Sequence, residues 1–426
     1  MDRVRMRSLD RFATSPRALL AIWAVFIALR LAVLLIPVAP TSDAEWYVLR
    51  AVSLAAGRGY VDNDGLPTAF WPVGWPMALS VLFRVTGPSL LAIGLFNLVC
   101  AALTGWLALL LGRRLFGSEA AARLGLLLFA LYPNAIGYVP LALTESFYTM
   151  LLLLGCWLVI ARRSPLWLVG AGLVFGFATL VKAQTLVVVP VLFAIEWLRA
   201  APVWRRLPSV IGMGALTLAC AGLVIGPWAA RNHARLGSWV AVSTNGGFNL
   251  LIGNSDDATG AYAEDGRAFT ALMARADLDE VARDAEARRL GLAWIAAHPA
   301  RFLALVPRKL ALLWLPDGEA EWAYEAGAPS YTRHAALYRA VRIVNQAYYT
   351  LLMLGFVAAF ALMTRRRHKA GQRWVDWWLL PWGVAAYPTF VAAIIFGQSR
   401  FHFPVMPFVC LACGWLAVEA AKARAA

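Results

Sequence analysis

The stretch VAPTSDAEWYVLR, residues 38–50, sets two carboxylates, Asp43 and Glu45, beside two aromatic rings, Trp46 and Tyr47, where a long apolar run ends. A carboxylate at such an edge can take a proton from an attacking hydroxyl or amine. It can also serve the local fold. Ser42-x-x-Glu45 matches a capping box, in which Ser42 caps a helix from about Asp43 to Ala56, Asp43 favours the helix dipole and Gly57 ends the helix. On that helix positions 43 and 45 lie about 200° apart, so the two acids do not face one substrate atom. Asp43 is then the candidate base and Glu45 the secondary acid or helix cap, over a buried stripe of Trp46, Leu49, Val52 and Ser53. Further on, Asp62-Asn63-Asp64-Gly65 looks like the start of a calcium loop, but no glutamate follows at the bidentate position, and a plain turn is expected.

Of the 426 residues, 61% are hydrophobic and 15% charged, which places the chain in a membrane. A formal charge of +15 would suit nucleic acid if the basic residues formed a face. They sit instead in short clusters between apolar runs, the positive-inside pattern, so no nucleic-acid partner is expected. The five cysteines, Cys100, Cys156, Cys220, Cys410 and Cys413, all fall within apolar segments and read as small buried hydrophobes. Cys410 and Cys413 form a CxxC, but no second pair or histidine cluster accompanies them at zinc spacing. The first apolar run ends in proline and acid rather than a small-x-small cleavage site, so it is read as an uncleaved span.

Crossing a hydrocarbon core of roughly 30 Å takes about 20 helical residues. Candidate runs lie near 18–38, 89–111, 123–140, 143–161, 165–181, 183–198, 208–229, 342–363, 376–397 and 403–421, about ten transmembrane helices in an all-α polytopic bundle. Arg3, Arg5, Arg7, Arg11 and Arg17 precede the first run; Arg113 and Arg114, Arg162 and Arg163, Arg199, Arg205 and Arg206, the RRRHK of 365–369, and Lys422 with Arg424 follow alternate later ones. All fall on one side if each run crosses once, which puts both termini in the cytoplasm. The opposite face then carries 39–88, a small loop region from 230 to about 342, and 398–402. On this threading the stretches 70–83 and 301–316 lie at the interface. Both contain proline and are short, and the second carries Arg308 and Lys309. Three regions result: 1–229, a transmembrane module with the first outer loop; 230–341, an outer-side loop region with an interfacial helix; and 342–426, the C-terminal transmembrane helices.

The segments SDAEWYVLRAVSLAAGRGY, FWPVGWPMALSVLFRVTG, LTESFYTMLLL, RNHARLGSWVAVSTNGGFNLLIGNSDDATGAY and GQSRFHFPVMPF follow one another in the order of the landmarks of the GT-C superfamily, which the chain resembles over nearly its whole length. These are integral-membrane glycosyltransferases that use a polyprenyl-phosphate sugar, among them the protein O-mannosyltransferases and the lipid A aminoarabinose transferases. The resemblance implies a GT-C-like helical bundle in a bacterial inner membrane, in contact with membrane lipids and with its active site facing the periplasm. It implies a polyprenyl-phosphate sugar donor and a lipid, glycan or protein acceptor.

The same resemblance implies that Asp43 is the acid that takes the acceptor's proton as general base, or orients the acceptor, while a sugar phosphate leaves, and that Glu145, in LALTESFYT, is a second acid of the outer face. The alternative for Glu145 is a cap on the fourth span. A departing phosphate wants fixed cations more than a general acid. Three basic residues run against the positive-inside bias: Lys182, Arg231, and Arg400 with His402 two residues beyond. They are expected to bind the donor phosphate, or otherwise to snorkel to headgroups. Where relatives commonly carry Arg-Tyr this chain has Arg400-Phe401, which keeps the arginine and removes a phenol. The STNGGFNLLIGNS segment is either the lining of a sugar or acceptor site or a turn-rich loop. No metal site and no cofactor is expected. Other readings are a transporter or flippase of lipid-linked glycans, or a polymerase or ligase of them. A transporter wants a polar path to the far face, whereas here the ionisable groups gather at one.

Overall fold

The computed structural model describes residues 12–424; Arg3, Arg5, Arg7 and Arg11, counted above toward the first basic cluster, lie outside them. Among the described residues the architecture is helical throughout, and the only extended pairing is an isolated bridge between Val61 and Pro67. Each apolar run gives a helix: Pro16–Val33, Leu90–Phe116, Glu119–Leu131, Glu145–Ile160, Pro165–Val181, Val188–Leu198, Val203–Leu236, Ala335–Lys369, Leu380–Ile394 and Met406–Ala423. Among the described residues six elements are long and apolar enough to cross a bilayer, or seven if one bent pair counts as a span, so the count of ten spans is not confirmed. The third run shows why. Its helix Glu119–Leu131 stops after 13 residues because Pro133 cannot donate to the ladder and instead opens the short helix Pro133–Gly137.

The two stretches expected at the interface fold as helices of 13 and 16 residues, Gly74–Thr86 and Pro299–Trp314. The second leaves Glu280–Ala297 at an angle of 107°. Lys309 does not lie at the surface of that helix. It is fully buried, and its Nζ donates to Asn254 Oδ1 at 2.9 Å and to the Ile394 carbonyl at 3.3 Å.

The 3-10 segment and last helix, Ser399–Ala423, are the most enclosed of the long apolar elements, with 83% of their most apolar stretch buried against 17% for Pro16–Val33. The last helix packs on Glu119–Leu131 through small residues. A Cβ at Gly414 would lie 2.5 Å from the Ala121 carbonyl oxygen, a distance only glycine tolerates, and such contacts let membrane helices approach backbone to backbone. The pair Cys410 and Cys413 sits on this helix, both thiols buried and free. At the other end of Glu119–Leu131 the last carbonyls lack full helical partners, and that of Phe129 accepts only a long bond of 3.4 Å from the Tyr132 amide. The buried Arg30 guanidinium reaches across from the first helix and donates to the carbonyls of Phe129 and Ala130, at 3.2 and 3.1 Å, while stacking 3.6 Å from the Phe26 ring.

The two ends of the bundle differ in charge. At one end Arg199 and Arg367 pair with Asp376, Arg366 and Lys422 with Glu419, Arg162 with Glu196, and Arg113 and Arg123 with Glu119. Glu145 and Lys182 lie at the opposite ends of Glu145–Ile160 and Pro165–Val181, Arg400 lies shortly before Met406–Ala423, and Asp43 opens a separate helix, Asp43–Ala55.

Candidate functional site

Asp43 enters the site through a kink. The chain leaves the first span, passes Pro40 and turns at Ser42, whose φ of 51° and ψ of −123° make it the one described non-glycine residue with positive φ. Such a conformation costs about 1–3 kcal/mol and persists only where the surroundings impose it. It starts the helix Asp43–Ala55 with Asp43 facing inward, and Ser42 makes no side-chain cap. The capping box is thus not formed. Glu45 is exposed, on the far side of the helix from Asp43, and is neither cap nor site residue. The buried stripe is also rotated from expectation: Ala44, Tyr47, Arg50, Ala51 and Ser53 face inward, and Leu49 is exposed. Rotation follows from what Tyr47 and Arg50 contact. Tyr47 packs edge-on against Trp71 at 5.3 Å, and Arg50 donates to Asn63 at 2.5 Å. Asp62–Gly65 is the expected turn, with Asp62 Oδ1 accepting the Asp64 and Leu66 amides at 2.9 Å each.

Arg400 arrives from a break in the opposite direction. The helix Leu380–Ile394 ends, residues 395–398 are irregular, and a 3-10 segment Ser399–Val405 containing Pro404 precedes the last helix. Non-helical backbone at such a depth is tolerated where it is buried in protein or lines a cavity. The guanidinium reaches Asp43 Oδ2 through Nη1 at 2.6 Å and Glu145 Oε1 through Nε at 2.8 Å. Lys182, at the C-terminal end of Pro165–Val181, donates to the same Glu145 oxygen at 3.1 Å.

Glu145 opens the helix Glu145–Ile160 and is fully buried, while Thr144 makes no side-chain cap. The carboxylate is therefore spent on the two cations and not on its helix terminus. Its second oxygen, Oε2, has no partner among the described residues.

These four groups form a cross-linked pair of acids and bases. Asp43 is 20% exposed, Arg400 10% and Lys182 11%, and all three line an open cavity of about 1120 Å³. Tyr47, Phe70, Trp71, Phe248, Trp322 and Phe401 supply an aromatic wall. The STNGGFNLLIGNS segment lines it as well: its middle is the helix Gly246–Gly253, and Ser243 to Gly246, Phe248 and Asn249 face the space. This volume is at the upper end of the range for ligand pockets, and its mixture of rings, amides and charges fits an amphipathic ligand.

Two residues expected at the donor phosphate are elsewhere. Arg231 turns away from the cavity and donates to the carbonyls of Tyr60 at 2.6 Å and Thr68 at 2.8 Å, with Trp228 under its guanidinium. Carbonyl oxygens of the segment after Asp43–Ala55 thus take the place of the anion that the charge argument required. His402 is completely buried between the Trp314 and Tyr349 rings, with Nδ1 against the Leu313 carbonyl at 2.6 Å and Nε2 against Asp317 Oδ1 at 3.1 Å. Both partners only accept, so both ring nitrogens are committed. Asp317 also takes Tyr132 Oη at 2.7 Å, Asn134 Nδ2 at 2.7 Å and Asn345 Nδ2 at 2.9 Å. Burial by itself raises a carboxyl; the hydrogen bonds of His402, Tyr132 and Asn345 outweigh it and hold Asp317 below its ordinary value. This cluster ties four chain segments together and is structural.

Sequence reasoning missed Glu319. It lines the cavity and accepts from Ser399 Oγ at 2.6 Å, from the Arg400 amide at 3.0 Å and from the Gln398 side chain. The available signal was the acidic run DGEAE at 317–321, next to an apolar stretch whose membrane placement drew the attention instead. Among the described residues no three His, Cys, Asp or Glu side chains are grouped as a metal site.

Against solved structures, an oligosaccharyltransferase from Archaeoglobus fulgidus superposes in its apo form with a TM-score of 0.57 and 12% identity, over 95% of this chain and 51% of that one. The archaeal oligosaccharyltransferase AglB from Archaeoglobus fulgidus, in complex with an inhibitory peptide and a dolichol-phosphate, gives 0.54 and 14%, over 94% and 50%. The chain shares the helical fold of these structures. In sequence, a family model described as dolichyl-phosphate-mannose-protein mannosyltransferase matches residues 71–228, which include Glu145 and Lys182. An undecaprenyl phosphate-alpha-4-amino-4-deoxy-L-arabinose arabinosyl transferase of Pseudomonas aeruginosa is 33% identical over 169 residues, 38% of this chain and 30% of the relative. The chain thus spans about a third of the length of the curated relatives it matches.

Proposed function

We propose that this protein is a glycosyltransferase that moves a sugar from a polyprenyl-phosphate carrier to a lipid, glycan or protein acceptor at the outer face of a bacterial inner membrane. The observation that carries the reading is the placement of Arg400 between Asp43 and Glu145 at the wall of a large cavity, at the end of the bundle remote from the basic clusters. The names of the matched family and of the Pseudomonas relative support the donor class.

The chemistry fits these side chains. The acceptor oxygen or nitrogen forms the new bond to the anomeric carbon as the bond from that carbon to the phosphate oxygen breaks, and the phosphate leaves with the electron pair. Asp43 takes the acceptor proton. Arg400 and Lys182 balance the charge that develops on the leaving phosphate, and Glu145 holds both cations in place. Arg231 and His402 are not part of this set. The reading needs no cofactor. Orientation follows from the positive-inside pattern, with both termini cytoplasmic and the cavity periplasmic. The three sequence regions are retained as a description: the first supplies Asp43, Glu145 and Lys182, the second the cavity wall, the third Arg400.

The test is mass spectrometry of envelope glycolipids and glycoproteins from cells with and without the gene. A sugar present only when the gene is present supports the transferase; identical profiles under conditions of confirmed expression refute it.

A further inference from the structure

Glu319 is not needed for the proton or for the phosphate, yet its carboxylate is bonded to three consecutive residues of the chain that presents Arg400. Oε2 accepts from the Ser399 hydroxyl at 2.6 Å and from the Arg400 amide at 3.0 Å, and Oε1 accepts from Gln398 Nε2. Amides at the start of a helical segment lack internal partners. Here the segment is the short 3-10 run Ser399–Val405, which follows irregular backbone and has little rigidity of its own. From that backbone the Arg400 side chain must reach two carboxylates on two other helices. A pivot of the peptide would lose one of them.

We propose that Glu319 is a positioning residue: by clamping residues 398–400 it aims the Arg400 guanidinium at Asp43, Glu145 and the space where a substrate phosphate sits. This rests on the transferase reading for its consequence, though not for its geometry. The segment around it supports a clamp rather than a substrate ligand, because its neighbours are anchored too. Gly397 donates to the Gly260 carbonyl at 2.9 Å on one side, and on the other Asp317, two residues before Glu319, is bonded to His402. Glu319 thereby transmits the fixed position of the turn at 317–320 to the arginine.

The test uses the full chain in lipid nanodiscs, with undecaprenyl phosphate as the probe. Glu319→Ala should weaken its binding about tenfold to a hundredfold, the range for a buried donor left without its partner. Glu319→Gln should recover most of that loss, because an amide oxygen still accepts from Ser399 and Arg400. In an Arg400→Ala background Glu319→Ala should cost nothing further; Arg400→Lys is the second background if the alanine variant does not fold. Hydrogen exchange of the peptide covering 398–405 should quicken in Glu319→Ala. The proposal is overturned if Glu319→Ala weakens binding by the same factor with and without Arg400, or if exchange at 398–405 is unchanged. Should the wild-type protein not bind the probe, the donor reading falls, and the exchange result alone decides whether Glu319 is the clamp.

Discussion

Arg400 Nη1 lies 2.6 Å from Asp43 Oδ2, although 357 positions separate the two residues in the chain. One guanidinium therefore holds the candidate base and, through Nε, the buried Glu145 at the same time. A phosphate that draws Arg400 toward itself would loosen its hold on Asp43 and leave that carboxylate readier to take a proton.

Asp43→Asn keeps the shape of the side chain and can still accept from Arg400, but it cannot take a proton. Transfer should fall about a hundredfold to ten-thousandfold with little change in melting temperature. The measurement is turnover with a polyprenyl-phosphate sugar, and a variant that turns over normally removes Asp43 from the chemistry.

Glu145→Gln leaves Arg400 and Lys182 facing each other without a shared anion. Breaking a buried pair costs about 3–5 kcal/mol, so this variant should unfold at markedly lower temperature or denaturant. Adding Lys182→Met should restore part of the loss, since the uncompensated charge is removed. A double variant no more stable than the single one would show that Lys182 is not coupled to Glu145.

Arg231 and Arg400 should separate binding from stability. Arg231→Gln loses the ties to Tyr60 and Thr68 and should lower the melting temperature while donor affinity stays within about twofold, as expected for a contact remote from the site. Arg400→Gln should reduce donor affinity at least tenfold. Equal donor affinities in the two variants would contradict the placement of the phosphate.

Asp317 makes stability depend on acid. Its folded carboxyl lies below its unfolded value of about 3.9, so its contribution is fully present above that pH and is lost as pH falls through the folded value. Thermal unfolding between pH 7 and pH 3 should show a fall in the lower part of this window, and Asp317→Asn should diminish it. An unchanged slope in the variant would assign the acid sensitivity elsewhere.

The membrane class, the helical architecture and the basic clusters that flank alternate apolar runs were all written in local sequence. Apolar runs and their basic flanks are short-range features that any bilayer reads in the same way. Asp43, Glu145, Lys182 and Arg400 could each be named because a charge beside an apolar run is conspicuous. Arg231 met the same criterion but is bonded to the carbonyls of Tyr60 and Thr68, since nothing local distinguishes a carbonyl partner from a phosphate.

Other features were decided by tertiary structure alone. Ser42 is forced to positive φ by the packing on either side, so the capping box its sequence spells is not built. The rotation of the helix Asp43–Ala55 depends on what Tyr47 and Arg50 meet, and the role of Glu319 depends on a loop 80 residues further along the chain. Sequence set the composition and periodicity of the helices because those act through the solvent and the lipid. It could not set which charges meet, because that depends on distances between helices that only the packed bundle determines.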